Sequence, residues 1–226
     1  GRLGDLIGRR RMFLVGLTVF TIASFACGLA QSQAMLIAAR FVQGAGGAMT
    51  SAVILGMIVT MFREPREQAK AIGVYAFVAS AGGSIGLLVG GVLTQAINWH
   101  WIFFVNIPIG IVTGVLSRRL LEQDSGIGLD QGADVAGAAL ITSALMLAVY
   151  AIVESAPVLG LVAVVLLVAF IAREATASSP LMPLRLFRSR DVAGANLIQA
   201  LSVAGMFGMF FLGALYLRQT LHYSAL

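Results

Sequence analysis

The sequence is short of charge. Only 11% of its 226 residues are Asp, Glu, Lys or Arg, while 59% are apolar. Soluble domains carry about 25% charged residues, so this chain lacks the polar groups needed to cover a surface in water. Cysteine is nearly absent. Cys27 stands alone inside an apolar run and reads as a small buried hydrophobe. One thiol excludes an internal disulfide and a cysteine metal cluster. Two histidines, His100 and His222, give a metal site little to build on. Paired carboxylates within apolar runs, nucleophile–base spacings and a nucleotide loop are all missing, so neither enzyme chemistry nor a cofactor is expected. The glycine runs lie in apolar segments rather than between a strand and a helix, which excludes a phosphate cradle. No signal-peptide pattern opens the chain. It does not begin with Met and starts on a charged stretch, so a missing natural N-terminus is expected.

What the chain has is long apolar runs. A helix crosses the hydrocarbon of a bilayer with about 20 apolar residues. Seven runs qualify, at 12–30, 34–62, 71–94, 101–117, 135–153, 157–172 and 192–217. The second is long enough to tilt. The sixth is short, and the alternative for 135–172 is a single re-entrant hairpin. The expected fold is all-α, a polytopic membrane helix bundle.

Seven crossings place alternate loops on opposite sides, and the charges follow that alternation. Loops 1–11, 63–70, 118–134 and 173–191 hold thirteen of the fifteen basic residues. Of the other two, Arg218 is in the C-terminal tail on the opposite side and Arg40 lies within a span. The positive-inside rule predicts that the basic side is cytoplasmic, in a cell membrane. The net charge of +5 is thereby explained by topology, and nucleic acid is not expected as a partner. Trp99 and Trp101 fall at the outer interface, where amphipathic rings anchor. The stretch 118–134 reads as a polar linker. In 173–191, Leu181, Leu184 and Phe187 follow helical spacing among Arg185, Arg188 and Arg190, which predicts a short interfacial helix.

Three patterns carry mechanism. The first is GRLGDLIGRRRMFL, with Gly1, Leu3, Asp5, Gly8, Arg9 and Arg10 on an expected tight turn before a span. Its plain reading is a basic membrane anchor. The second is LIAARFVQGAGGAM, where Arg40 lies a few residues inside a span and Gln43 follows one turn later. An intramembrane charge needs an interior position and a partner; the alternative is an arginine that snorkels to headgroups. Gly44, Gly46 and Gly47 allow close helix contact. The third is GVYAFVASAGGSIGLLVGGVL, in which Gly82, Gly86 and Gly90 recur every fourth residue and form a smooth stripe.

Together, in this order and spacing, the patterns resemble the signature motifs of the major facilitator superfamily. The first resembles the loop between the second and third helices, with Leu6 where a basic residue is common. Arg40, Gln43, Gly44 and Gly46 match the arginine motif of the fourth helix. Gly73, Gly82, Gly86, Gly90 and Gly91 match the antiporter motif of the fifth, with Leu87 where a proline is usual. WHWIFFVNIPIG and PLMPLRLFRSRDVAGANLIQ are similar to the EmrB/QacA type, the fourteen-span drug:proton antiporters. On that resemblance the chain holds the third to ninth helices. Residues 1–117 would be the last four helices of the N-terminal bundle, 118–134 the cytoplasmic linker, 135–172 two extra central helices, and 173–226 a loop and the first helix of the C-terminal bundle.

The resemblance implies alternating access, with two bundles rocking about a central site. Expected partners are amphipathic, often cationic, small molecules, protons, the lipid bilayer and a periplasmic adaptor protein. Gly1, Asp5, Gly8, Arg9 and Arg10 would form a cytoplasmic gate. Arg40 and Gln43 would tune protonation near the cavity, and the glycine stripe would be the sliding contact between bundles. The coupling carboxylate is expected in the first helix, which this stretch lacks. Glu154 and Asp134 read as interfacial caps. Asn196 and Gln199, one turn apart, either line the cavity or hydrogen-bond between helices. An exporter of sugars, amino acids or siderophores, and a non-transporting scaffold or sensor, are the alternative functions.

Overall fold

The computed structural model describes residues 2–128, 134–177 and 180–220, with only the backbone of Ala214 and Arg218. Gly1, part of the expected gate, lies outside the described residues, as do 129–133 of the linker and the tail 221–226. Among the described residues the regular structure is entirely helical. Seven helices, counting Trp101–Leu120 as one, are long and apolar enough to cross a membrane. The chain divides into two compact units, Gly1–Ala133 and Asp134–Leu226.

The first unit begins with α1 (Arg2–Ile7) and α2 (Arg9–Gly28). Residues 2–7 are therefore a helix, and the expected loop contracts to Gly8 alone. At φ 98° and ψ 132°, Gly8 occupies backbone space that side chains disfavour, which ends one helix and starts the next. α3 (Gln33–Met61) opens on Ser32, whose hydroxyl accepts from Met35 N at 3.2 Å as an N-cap. α4 (Pro65–Ala96) follows a short connection, with proline at the start of the helix where its missing N–H costs nothing. The loop expected at 63–70 is thus mostly helix. α5 (Trp101–Phe104) and α6 (Asn106–Leu120) form one path interrupted at Val105. Pro108 has no N–H for the Phe104 carbonyl, so the α-helical ladder breaks there.

The core of this unit is the packing of α2 between α3 and α6. Gly16 and Gly46 let α2 and α3 touch along the backbone. A Cβ on Gly46 would stand 2.5 Å from Phe20 N, and one on Gly16 2.9 Å from Gly46 O. Close approach over small residues substitutes for the hydrophobic drive that lipid removes. α4, by contrast, has no buried residue. An apolar helix covered so little suits a bilayer or further helices.

The second unit contains α7 (Val135–Val153) and α8 (Pro157–Thr176), an antiparallel pair. Their lengths, 19 and 20 residues, give two full helices where a re-entrant hairpin was the alternative. Ser155, at φ 51°, takes the left-handed position that ends α7. Ala156 N then reaches Ala151 O at 2.9 Å, and Pro157 starts α8. The interfacial helix expected in 173–191 is only one 3-10 turn, Leu184–Arg188. Pro183 disfavours helical backbone in the residue before it, so no helix extends through that point. α9 (Arg190–Gln219) follows the turn.

Candidate functional site

At one end of the first unit, the break at Gly8 gathers Asp5, Arg9 and Arg10. Asp5 and Arg9 are four residues apart, and the break leaves their side chains within reach. Arg9 Nη2 and Nε donate to Asp5 Oδ1 at 2.9 and 3.1 Å. The third arm, Nη1, donates to Gly56 O at 3.0 Å and to the Thr60 hydroxyl at 3.4 Å. Gly56 and Thr60 are in the last turns of α3, where a cation meets the negative end of the helix dipole. One planar guanidinium thus ties the α1–α2 turn to a second helix, a task suited to its fixed fork of donors. Arg10 Nη2 donates to the Arg118 carbonyl at 2.7 Å, bringing the end of α6 to the same place.

Another participant carries no signal in the local sequence. Asp124, in the stretch after α6, accepts the backbone N–H groups of both Arg9 and Arg10. It shares no local pattern with them, being more than a hundred residues away.

A second constellation lies between α2 and α3. Arg40 Nη1 donates to Gln43 Oε1 at 2.7 Å, and Gln43 Nε2 donates to the Ser24 hydroxyl at 2.6 Å. Cys27 Sγ lies 3.8 Å from the same Gln43 oxygen. Ser24, Cys27 and Gln43 are buried, whereas Arg40 is exposed. The Arg40 guanidinium also stands over the Phe103 ring, 5.6 Å from its centroid. Arg40 therefore has a hydrogen-bond partner and a ring face. Of its neighbouring glycines, Gly46 is the contact point, Gly47 is in ordinary contact with Phe20, and Gly44 faces open space. At the far end of α2, His100 Nδ1 donates to Gly28 O at 2.8 Å while Trp99 stacks on the imidazole at 3.8 Å.

The glycine stripe of α4 is open. A Cβ at Gly73, Gly82, Gly86 or Gly91 would meet nothing within 4 Å, and at Gly90 only Ile102, at 3.9 Å. In the second unit, Asn196 donates to Val192 O at 2.8 Å within its own helix, and Gln199 is exposed.

The second unit has a polar cluster of its own. Asp134 caps α7 by accepting from Gly137 N at 2.8 Å. Arg173 Nε, from the last turn of α8, bonds both Asp134 oxygens at 2.7 and 3.0 Å. Beside it, buried Glu174 accepts from Leu181 N at 3.2 Å and Met182 N at 2.7 Å. The Gly137 amide holds the Asp134 carboxyl below its ordinary range; burial opposes this and Arg173 reinforces it. Asp134 is thus the cap the sequence suggested. Glu154 is the residue that ends α7.

Seven helices long and apolar enough to cross a bilayer define a polytopic helical membrane protein. The whole chain, residues 1–226, matches the family model of the Major Facilitator Superfamily, and the protein belongs to that superfamily of transporters. It is 36% identical to the puromycin resistance protein pur8 of Streptomyces alboniger over 99% of this chain and 46% of that protein. It is 38% identical to the cephamycin export protein CmcT of Amycolatopsis lactamdurans over 100% of this chain and 49% of that protein. It is also 38% identical to the MFS-type transporter EfpA of Mycobacterium tuberculosis over 100% of this chain and 44% of that protein. The chain spans under half the length of these relatives.

Proposed function

We propose that the polypeptide carrying these residues exports amphipathic or cationic compounds in exchange for protons, by alternating access. The observation that carries this reading is the three-way hold of Arg9 on Asp5, Gly56 and Thr60. A guanidinium that binds a turn and a helix end through part-buried polar bonds makes a contact that can open and re-form. A buried apolar contact would be permanent. The names of the relatives, a puromycin resistance protein and a cephamycin export protein, support export. A multidrug resistance protein, Stp of Mycobacterium tuberculosis, is 34% identical and supports a broad substrate class.

In this reading the Arg-rich end of the first unit faces the cytoplasm of a cell membrane, and Asp5, Gly8, Arg9 and Arg10 form the gate there. Residues 1–117 belong to the N-terminal bundle of a fourteen-span antiporter of the EmrB/QacA type, and α7–α8 is its central helix pair. Arg40, held by Gln43, favours the ionised form of a carboxylate brought near it. Gly73, Gly82, Gly86, Gly90 and Gly91 form the face on which the second bundle slides, and Asn196 and Gln199 line the cavity from α9. A periplasmic adaptor is a further partner. The test is to reconstitute the full natural polypeptide in vesicles with an acidic lumen and add a cationic dye outside the loading face. Dye-driven proton release is the expected result. No proton movement across a broad panel of cationic and amphipathic compounds overturns the antiport reading.

A further inference from the structure

The segment that follows α6 does more than connect. Residues 122–128 have no regular secondary structure, and several of them bond the break between α1 and α2. A helix leaves its first N–H groups and last carbonyls without internal partners. Gly8 stands at the N-cap of α2 and has no side chain to offer. Asp124 supplies the missing acceptor: Oδ1 takes the Arg10 N–H at 3.0 Å and Oδ2 takes the Arg9 N–H. A carboxylate is the favoured charge at that end of a helix. A few residues on, Ile127 N donates to Asp5 O at 2.9 Å and Gly128 N donates to Leu6 O at 3.1 Å. These are carbonyls of the short helix α1. One short stretch therefore satisfies the end of one helix and the start of the next.

The fit is close on both sides. A Cβ on Gly8 would come within 2.6 Å of the Asp124 carbonyl oxygen, and a Cβ on Gly126 would fall on the Leu6 carbonyl. Neither position admits a side chain without displacing the backbone opposite. With α1 in this place relative to α2, the Arg9 side chain reaches Asp5.

We infer that residues 124–128 are a strap that sets the geometry of the Asp5–Arg9 pair, with Asp124 as a positioning residue for the gate. The inference rests on the gate reading given above. Asp124 does not touch the guanidinium of Arg9; it holds the backbone from which that side chain springs. A neutral amide at position 124 offers one acceptor oxygen and can replace only one of the two bonds.

The experiment uses the full natural polypeptide in lipid nanodiscs and in vesicles. Amide exchange over residues 8–14 and the rate of efflux are measured for the wild type, Asp124→Ala, Asp124→Asn and Gly126→Ala. Loss of an N-cap changes a local opening equilibrium by about fivefold. Asp124→Ala is expected to speed exchange by about that factor and to lower the maximal efflux rate with KM unchanged. Asp124→Asn, with one acceptor oxygen in place of two, is expected to fall between the wild type and Asp124→Ala in both. Gly126→Ala displaces the strap from its other end and reproduces the loss with Asp124 intact, which guards against a variant that fails to fold. Unchanged exchange in Asp124→Ala and Gly126→Ala overturns the strap. Faster exchange with an unchanged maximal rate overturns its role at the gate. A wild type that moves no compound overturns the exporter reading, and the exchange measurement then still reports whether the strap is docked.

Discussion

Gln43 donates its side-chain amide to the Ser24 hydroxyl at 2.6 Å, and the bond joins α3 to α2 where both side chains are buried. The other end of the Gln43 amide accepts from Arg40. Through this glutamine the exposed Arg40 is linked to the interior of the helix pair.

Ser24→Ala leaves the Gln43 amide buried without its acceptor. An unsatisfied buried polar group costs about 1–3 kcal/mol, so a lower thermal midpoint in detergent is expected. The double variant Ser24→Ala, Gln43→Leu removes both polar groups and is expected to recover part of the loss. A double variant less stable than the sum of the single ones would show that the bond does not hold the pair together.

The glycines divide into two classes with opposite expected behaviour. Gly46→Val forces a side chain against the backbone of Phe20. Overpacking of this kind costs about 1–3 kcal/mol or more, and folded protein recovered from membranes should fall. Gly86→Val meets open space, so recovery and thermal midpoint should stay near wild type. If the stripe is a sliding face, efflux by the full polypeptide should still drop. Stable protein with undiminished efflux would remove the stripe from the mechanism.

The α7–α8 pair should respond to acid through Asp134. Its carboxyl is held below the ordinary value of 3.8 by the Gly137 amide and by Arg173. A depressed native value gives stability that is fully present above the unfolded-state value and is lost as pH falls through the native one. Thermal midpoints should therefore be flat from neutral pH to about 4 and fall below it. Arg173→Gln weakens the hold and brings the native value nearer the unfolded one, so the fall below that point should be smaller. An identical pH profile in Arg173→Gln would show that the arginine contributes nothing to it.

The helices were legible because hydropathy is a property of contiguous residues. Each of the seven apolar runs is a helix, and the ends moved by a few residues where prolines or glycines set them. Pro65 starts α4 earlier than apolarity alone suggested, because a proline at the first position is tolerated and the charged residues after it face out. α1 was not legible: six residues with two charges and a glycine have no apolar stripe to report a helix. Of the candidate residues, Asp5 and Arg9 were found through the resemblance carried by the opening segment, and Arg40 with Gln43 because their spacing puts them one turn apart. Asp124 and Glu174 were not, since each bonds backbone N–H groups of a segment that only the folded chain brings near. Arg173 was read as part of a basic loop; its partner, Asp134, stands 39 residues earlier.

That last pair has a consequence for how such a chain can be assembled. Asp134 and Arg173 mark where the α7–α8 hairpin begins and ends, and they touch. A module whose two ends meet can be spliced into a loop, or lifted out of it, without rerouting the flanking chain. Because it contains two antiparallel helices, whatever follows it keeps the same heading. The hairpin carries its own clamp, its own cap and its own packed interface, so it has the properties of a portable cassette.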